Sequence, residues 1–480
     1  MTATLSEPGA AVQRNPRRWL ILVVLCLSTL VLVIDNMALT VAVPKLTEDL
    51  GATAQDTQWI LDSYLLVFAG LLLTSGSLAD RFGRRRVMII GLALFGCASL
   101  VATLASSPGE LVAARVVMGV GGALIMPSTL SILITVFDEQ ERRKAMAAWS
   151  AVAMVGFVGG PVLGGVLIAW FWWGAVFLIN VPIAVLAIVA AVVLMPESKG
   201  PWRKADPLGA VLSAVGMTAL VWMIIELPHG SAGSTLGALA VAVLALGGFV
   251  GWELRTPSPM VPLGLFRARN FTGGSLSLTL VQVGNGGLLL VFTQFLQFVL
   301  GYSPTQAGLA FLPMAVSSLL FNTLGATLGQ KFGNRLLTVS GLLIAAGGFV
   351  LLATASSSFL VVGLGLFVLG AGGGLAMPAA IAALMGTVPE EHAGVGSALN
   401  DTIQQLGAAL GVAALGSVLS SGFRSAMPDA TPLADAVRVP ALADTARSAF
   451  TSAMSTTFLV SAVGVVVAAV VAAVVLKDKR

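Results

Sequence analysis

The stretch Gly76-Ser77-Leu78-Ala79-Asp80-Arg81-Phe82-Gly83-Arg84-Arg85-Arg86 decides how the rest of the chain is arranged. It is a charged turn between two long apolar segments, and it carries four arginines within six residues. Basic loops between membrane helices stay on the cytoplasmic side. The stretch therefore predicts the direction in which its neighbouring segments cross the membrane.

The composition is that of an integral membrane protein. Of the 480 residues, 57% are hydrophobic and 10% are charged, whereas a soluble domain has about 25% charged residues. The net charge of +4 is dispersed and forms no basic face interleaved with aromatic residues, so nucleic acid is not an expected partner. Both histidines are isolated, and the phosphate-loop and zinc-protease motifs do not occur. We therefore expect no metal, no cofactor and no enzymatic activity.

Fourteen segments are apolar over the roughly 20 residues that a membrane-spanning helix needs. They lie near 19–43, 58–78, 87–105, 110–134, 145–169, 175–195, 207–227, 235–254, 271–295, 306–328, 336–355, 359–385, 395–418 and 450–475. With the N-terminus inside, 21 of the 26 lysines and arginines fall on the cytoplasmic side, four fall outside and Arg115 lies within a helix. This bias predicts a multi-pass protein of the cytoplasmic membrane with both termini in the cytoplasm.

Two internal repeats indicate a duplication. Leu78 to Arg85 matches Leu328 to Arg335 at an offset of 250 residues, and Gly119 to Pro127 matches Gly370 to Pro378 at an offset of 251. On the helix count above, this offset spans eight helices rather than six. Two extra helices are therefore predicted between two six-helix halves.

The predicted fold is all-α and integral to the membrane. The N-terminal six-helix bundle covers residues 1–200, the two inserted helices 201–260 and the C-terminal bundle 261–480. Parallel repeats of this kind are a transporter architecture, with the binding site between the halves near the middle of the bilayer. We expect a monomer whose partners are the lipid bilayer and the transported molecules.

Asp35 and Arg115 are the most informative charges inside the spans. A charged side chain at the bilayer centre costs about 2.5–3.5 kcal/mol on insertion scales, so it normally faces a cavity or a partner. Asp35 follows the aliphatic run Val31 to Ile34. It is either a protonatable site facing a central cavity or a structural acid paired with a cation on a neighbouring helix. Arg115 could supply that cation, in a coupling role or as a permanent ion pair.

Two further acids are candidates for proton or substrate coupling. Asp62 lies about one turn inside the outer end of helix 2, where an acid can also reach water. Asp401 lies about two turns into helix 13, and it is either a second functional acid or an interfacial residue at the start of the helix. Candidate cavity-lining residues in helices 9 and 10 are Gln282, Asn285, Gln294 and Asn322.

Helix 5 and the opening stretch are candidate conformational elements. In helix 5, a dense group of small residues predicts a hinge or a tight helix–helix seal rather than generic packing. This group consists of Gly156, Gly160, Pro161, Gly164 and Gly165. In the opening stretch, ion pairs can latch one conformation, or the cations can serve topology alone. Its key residues are Gly76, Asp80, Arg81, Gly83, Arg84 and Arg85.

The outer segment 419–449 is the longest loop predicted, and it could form a short surface helix. In the second copy of the opening stretch, Gln330 replaces Asp80, which predicts that the two halves latch differently.

These motifs resemble those of the major facilitator superfamily, in its fourteen-helix drug:proton antiporter family. Gly76 to Arg86 resembles the signature of the loop between helices 2 and 3. Leu111 to Gly121, with Arg115, resembles the helix 4 motif, and Gly156 to Gly165 is similar to the antiporter motif of helix 5. The helix 1 motif is matched by Asp35, Ala42 and Pro44. The resemblance covers essentially the whole chain.

Within that family, two stretches resemble the antiseptic and quaternary-ammonium exporters. They are Trp59 to Val67, with Asp62 and Tyr64, and Val176 to Pro182. The resemblance implies proton-coupled export of lipophilic, often cationic drugs. We hypothesise that protonation of Asp35, or of its pair with Arg115, releases a cationic drug outward. Departures from the family's motifs are Met37, Thr40, Met118, Gly174 and Gln330.

Two alternatives stay open at this point. One is an exporter dedicated to an endogenous natural product. The other is a transporter-like sensor that binds without turnover, although the longest extramembrane segment is only about thirty residues.

Overall fold

A computed structural model of the chain describes residues 16–477 except 53, 201–205, 227–231, 258, 260, 355–358, 390–391, 428–436 and 438. All regular secondary structure in these residues is helical. The α-helices are α1 (Arg18–Leu50), α2 (Ala54–Phe82), α3 (Arg84–Thr103), α4 (Pro108–Val136), α5 (Glu139–Trp170), α6 (Ala175–Leu178), α7 (Asn180–Leu194), α8 (Pro207–Glu226), α9 (Ala232–Glu253), α10 (Arg269–Gln294), α11 (Pro304–Ala310), α12 (Leu312–Phe332), α13 (Asn334–Ala353), α14 (Phe359–Met385), α15 (Ala393–Ala426) and α16 (Pro440–Val475).

The helix count agrees with the fourteen predicted spans. Within the described residues, thirteen helical segments are long and apolar enough to cross a bilayer. The fourteenth span is α5, whose 32 residues would extend about 48 Å at 1.5 Å per residue. Its first turns carry the charged residues that begin at Glu139, and the sequence from Ala145 to Trp170 contains no charged residue. The short helix α6 and α7 together make up one span, Ala175–Leu194, and α12 supplies another, Leu312–Gly329.

Local sequence signals set the helix ends. Ser107 and Asp138 accept hydrogen bonds from backbone N–H groups in the first turns of α4 and α5, which satisfies donors that a helix start leaves free. Between α2 and α3, Gly83 has φ 114°, and between α12 and α13, Gly333 has φ 86°. Such angles favour glycine. The glycine of the duplicated turn therefore has a positive φ in both copies.

The helices form an N-half (α1–α7) and a C-half (α10–α16) that meet along two seams. α2 packs against α15 on one side, and α5 packs against α11 and α12 on the other. The core of the N-half continues into one end of the C-half through Phe271, Leu384 and Val395. We call this the inner end, because the basic α2–α3 turn lies there. The second core lies wholly within the C-half. The two halves are therefore closed against each other at the inner end.

The two inserted helices form a hairpin at the edge of the bundle. α8 packs on α9, on α2 and, to a smaller extent, on α15, and α9 exposes most of its surface. The long outer loop predicted over 419–449 is wrong in extent. α15 continues to Ala426 and α16 begins at Pro440, with 34 and 36 residues respectively. The predicted loop was too long because both helices continue past the apolar segments from which their ends were predicted.

Candidate functional site

A buried ion pair lies inside the N-half, between α1 and α4. The Arg115 Nη1 atom lies 2.6 Å from Asp35 Oδ2. The side chains of both residues are at most 1% exposed. Arg115 also donates from Nε to the Ile60 carbonyl oxygen at 3.2 Å and from Nη2 to Asn36 Oδ1 at 3.3 Å. Its guanidinium carbon lies 4.3 Å from the centre of the Tyr64 ring. The cation therefore contacts α1, α2 and its own helix α4.

Asn180 completes the environment of Asp35. Its Nδ2 atom donates to Asp35 Oδ1 at 2.7 Å and to Ser99 Oγ at 3.3 Å. Both carboxylate oxygens of Asp35 thus have a donor, which a buried charge requires. Asn180 is not among the site residues predicted from the sequence. The sequence feature that could have identified it is its place in the Val176 to Pro182 stretch, where a lone polar side chain follows an apolar run.

In this conformation Asp35 does not face the central cavity. Asp35 is 0% exposed and is not among the residues that line the cavity between the halves. The physical reason is that Arg115 on α4 and Asn180 on α7 hold the carboxylate inside the N-half. Of the two interpretations given above, the geometry is that of an acid paired with a cation on a neighbouring helix.

A cavity of about 400 Å³ lies between the two halves, and its two walls differ in chemistry. The N-half contributes mainly apolar and aromatic side chains, among them Phe68, Met126 and Trp149. Trp149 is fixed by its Nε1 donor, which binds Thr29 Oγ1 at 2.8 Å. The C-half contributes most of the polar lining: Gln282, Asn285, Ser318, Asn322, Asp401, Gln404 and Gln405. Such a cavity suits a molecule with one apolar and one polar side.

Asp401 is the acid that lines this cavity. It is 3% exposed. Its Oδ1 atom accepts a hydrogen bond from Asn400 Nδ2 at 3.0 Å, and its Oδ2 atom has no partner among the described residues. A buried carboxylate oxygen without a donor is costly. The site is therefore suited to a proton or to the positive group of a ligand.

The remaining candidates lie elsewhere. Asp62 is partly exposed near the outer end of α2, and it is not among the residues that line the cavity. Of the four uncharged candidates, Gln282, Asn285 and Asn322 line the cavity, whereas Gln294 does not.

At the inner end, Asp80 joins the two halves. Its carboxylate accepts hydrogen bonds from the backbone N–H groups of Gly394, at 3.0 Å, and Val395, at 3.2 Å. These are free donors in the first turn of α15, where the helix dipole also favours an anion. Arg84 holds the same carboxylate from Nη2 at 2.7 Å. A β-carbon on Gly76 would lie 2.5 Å from the Gly394 carbonyl oxygen, so glycine permits the close approach.

The rest of the opening stretch binds the segment that follows α7. Glu197 accepts hydrogen bonds from the backbone N–H groups of Arg85 and Arg86 at 3.1 and 3.2 Å, and Arg85 Nη1 donates to the Met195 carbonyl oxygen at 2.7 Å. The guanidinium carbon of Arg81 lies 5.1 Å from the centre of the Phe82 ring. Glu197 could not be predicted as a partner of the opening stretch, because its contacts link positions more than 100 residues apart. The side chain of Gln330 lies outside the described residues.

The small residues of α5 pack against α1. Added β-carbons at Gly156, Gly160 and Gly164 would lie within about 3 Å of Val33, Met37 and Ala38 atoms. Pro161 faces the C-half, near Gly308, and Gly165 is half-buried. α5 is helical through Pro161. The arrangement is that of a tight seal within the N-half.

The fold and the cavity between two halves define a multi-pass membrane transporter. The chain belongs to the Major Facilitator Superfamily, whose family model matches residues 25–412 and again residues 274–480.

Several curated relatives are similar over most of the chain. The multidrug efflux pump LfrA of Mycolicibacterium smegmatis is 36% identical, over 98% of this chain and 99% of the relative. The tetracenomycin C resistance and export protein of Streptomyces glaucescens is 33% identical, over 91% of this chain and 84% of the relative. The methyl viologen resistance protein SmvA of Salmonella typhimurium is 35% identical, over 86% of this chain and 84% of the relative.

Solved structures share the fold. The human organic anion transporter MFSD10 has a TM-score of 0.66 at 16% identity, covering 94% of this chain and 100% of that one. The proton:xylose symporter XylE has a TM-score of 0.64 at 16% identity, covering 94% of both chains. At these identities, the likeness concerns the fold alone.

Proposed function

We propose that this protein exports lipophilic, cationic drugs across the cytoplasmic membrane in exchange for protons, by alternating access. The observation that carries the proposal is Asp401. It is a buried carboxylate, one oxygen of which has no partner among the residues that the structure describes, in a cavity walled by Phe68, Met126 and Trp149. Aromatic faces and a carboxylate together attract an organic cation. Curated relatives named as a multidrug efflux pump and a methyl viologen resistance protein support an outward direction of transport and drug-like substrates.

The two buried acids have separate roles in this proposal. Asp401 contacts the ligand, because it lines the cavity. Asp35 is the proton carrier that sets conformation, because its partners Arg115 and Asn180 tie α1 to α4 and α7. Protonation of Asp35 would cancel its charge and leave Arg115 buried beside a neutral group, which is unfavourable. The α1–α4 contact would then rearrange. A proton taken from outside and released inside would drive the cycle.

Proteoliposomes under an imposed pH gradient test the proposal, with ethidium as the fluorescent cation. The unmodified protein is expected to transport ethidium against its gradient. Asp35→Asn should abolish gradient-driven transport and retain ethidium binding. Asp401→Asn should weaken binding itself by roughly 30-fold or more, since losing one partner of a desolvated charge pair costs about 2–5 kcal/mol. Asp444→Asn is the matched control, because the Asp444 side chain is 98% exposed.

Two results would contradict the proposal. Unchanged proton-driven transport by Asp35→Asn would remove the coupling role of that acid. Unchanged ethidium binding by Asp401→Asn would remove the cation site.

A second candidate is export of one endogenous natural product, because relatives include export and resistance proteins named for single antibiotics, tetracenomycin C and cephamycin. The amide-rich C-half wall of the cavity could bind the polar groups of such a compound. A susceptibility screen with cationic and neutral compounds side by side separates the two. Protection against a single neutral compound would favour the dedicated exporter.

A further inference from the structure

The inserted hairpin, α8 with α9, lies directly behind one of the two seams between the halves. At the α2–α15 seam, Phe68, Gln404 and Gln405 face the cavity. On the opposite side of the same two helices, Leu66, Ala69 and Leu406 pack with α8 residues. The wall between the cavity and α8 is thus one helix thick. α8 covers the line along which α2 and α15 meet.

The contact between α8 and α2 extends along most of the length of α8. Near the inner end, the Ala210 carbonyl oxygen accepts a hydrogen bond from Thr74 Oγ1 at 3.4 Å. In the middle, an added β-carbon on Gly70 would meet Thr218, so the backbones approach closely there. Near the outer end, the Trp59 and Trp222 rings meet edge to face, with 5.0 Å between their centres.

The contact between α8 and α15 is different in kind. It is less extensive, and the α15 side chain found in it is the apolar Leu406. Among the described residues, no hydrogen bond or ion pair between α8 and α15 is present. An apolar surface without polar links lets one helix slide past another at little cost.

The other seam has no such cover. Among the described helices, α5, α11 and α12 meet there without an inserted helix behind them. Val155 and Val166 of α5 and Leu319 of α12 are 53%, 49% and 44% exposed. In a membrane this seam faces lipid.

We propose that the α8–α9 hairpin is a wall carried by the N-half. It stays fixed to α2, slides over α15 as the halves rock, and keeps lipid out of the α2–α15 seam in every state. Lateral exchange between the cavity and the bilayer is then confined to the α5–α12 side. This assigns a function to the two helices that are additional to the six-plus-six duplication.

Cysteine pairs test the motion. The native Cys26 and Cys97 are first replaced by alanine. Linking Trp59→Cys to Trp222→Cys joins α8 to α2 and is expected to leave ethidium transport unchanged. Linking Val221→Cys to Leu406→Cys joins α8 to α15 and is expected to stop transport until the link is reduced. Transport that survives the second link, or stops with the first, would overturn the proposal.

Spin labels at the same positions give a readout that does not depend on transport. The α8–α2 distance should stay constant when pH and ethidium are varied, and the α8–α15 distance should change. The reverse would overturn the proposal, even if the unlinked variants export nothing and the proposed function fails.

Accessibility tests the wall. A label at Leu406→Cys, on the face of α15 that packs against α8, should stay shielded from a quencher attached to lipid tails in all conditions. A label at Leu319→Cys, on α12, should be quenched throughout and serves as the matched control. Quenching at Leu406 in any state would show that the α2–α15 seam opens to lipid and would overturn the proposal.

Discussion

At the scale of single residues, Asp35 and Asp401 are both carboxylates inside spans, but the fold gives them opposite surroundings. Asp35 has a donor on each oxygen and no access to the cavity. Asp401 lies in the cavity wall, and one of its carboxylate oxygens has no partner within the described part of the chain. The residue type and depth of both acids could be read from the sequence. Their surroundings depend on residues 80 and 145 positions away from Asp35, so no local pattern reveals them.

Asn180 is predicted to position the Asp35 carboxylate. Asn180→Ala leaves Asp35 Oδ1 without its closest donor, and loss of a hydrogen bond to a charged group costs about 1.5–3 kcal/mol. We expect a lower thermal unfolding temperature in detergent and a changed pH dependence of export. Ser99→Ala is the control, since it removes only a contact of 3.3 Å to Asn180. An unaltered pH profile in Asn180→Ala would exclude a positioning role.

At the scale of helices, the sequence signals of α5 and of the α2–α3 turn led to correct local structure. Glycine at 83 and 333 adopts positive φ in both copies of the turn. The spacing of Gly156, Gly160 and Gly164 places them on one face, as the 3.6-residue period of a helix requires. The sequence left open whether that face formed a hinge or a seal. In the structure this face packs closely on α1, and only packing identifies that partner.

Gly160→Ala tests the α1–α5 seal. Its β-carbon would lie 2.5 Å from Met37 Cβ, whereas the neighbouring Gly159 has nothing within 4 Å. Overpacking of this kind costs about 1–3 kcal/mol. Thermal unfolding and ethidium export should therefore both be impaired in Gly160→Ala. Gly159→Ala should behave as the unmodified protein. Equal behaviour of the two variants would mean that α1 moves away without cost.

At the scale of the whole molecule, closure of the inner end depends on contacts between residues more than 300 positions apart. Asp80, in the first half of the sequence, caps the start of α15. Gly76 and Gly394 allow the two helices to approach. The sequence indicated that ion pairs in the opening stretch could latch one conformation. It could not indicate that the capped helix belongs to the other half.

Asp80→Asn is expected to favour opening at the inner end. Loss of a helix cap costs about 0.5–2 kcal/mol, and about 1.4 kcal/mol corresponds to a tenfold shift in an equilibrium. The measurement is the rate at which a thiol reagent labels Ser397→Cys, which is buried at the inner end of α15, after removal of Cys26 and Cys97. We expect faster labelling by roughly 2- to 30-fold on the same principles.

Two further variants complete this experiment. Gly394→Ala should also speed labelling, because its β-carbon would lie 2.5 Å from Asp80 Oδ1. Gly464→Ala, on α16, has nothing within 4 Å and is the control. Labelling at an unchanged rate in both Asp80→Asn and Gly394→Ala would show that this contact does not hold the inner end closed.

The sequence by itself determined the membrane environment, the fourteen spans, the duplication and the family. These follow from hydrophobicity, charge bias and repeated motifs, which are properties of short stretches. Only the tertiary structure decided that Arg115 and Asn180 enclose Asp35, that Asp401 faces the cavity and that α8 lies behind the α2–α15 seam. Each of these depends on which faces of distant helices meet. Nearly every helix in this bundle is apolar all round, so hydrophobic periodicity does not indicate which face of a helix meets its neighbour. Side-chain packing selects those faces.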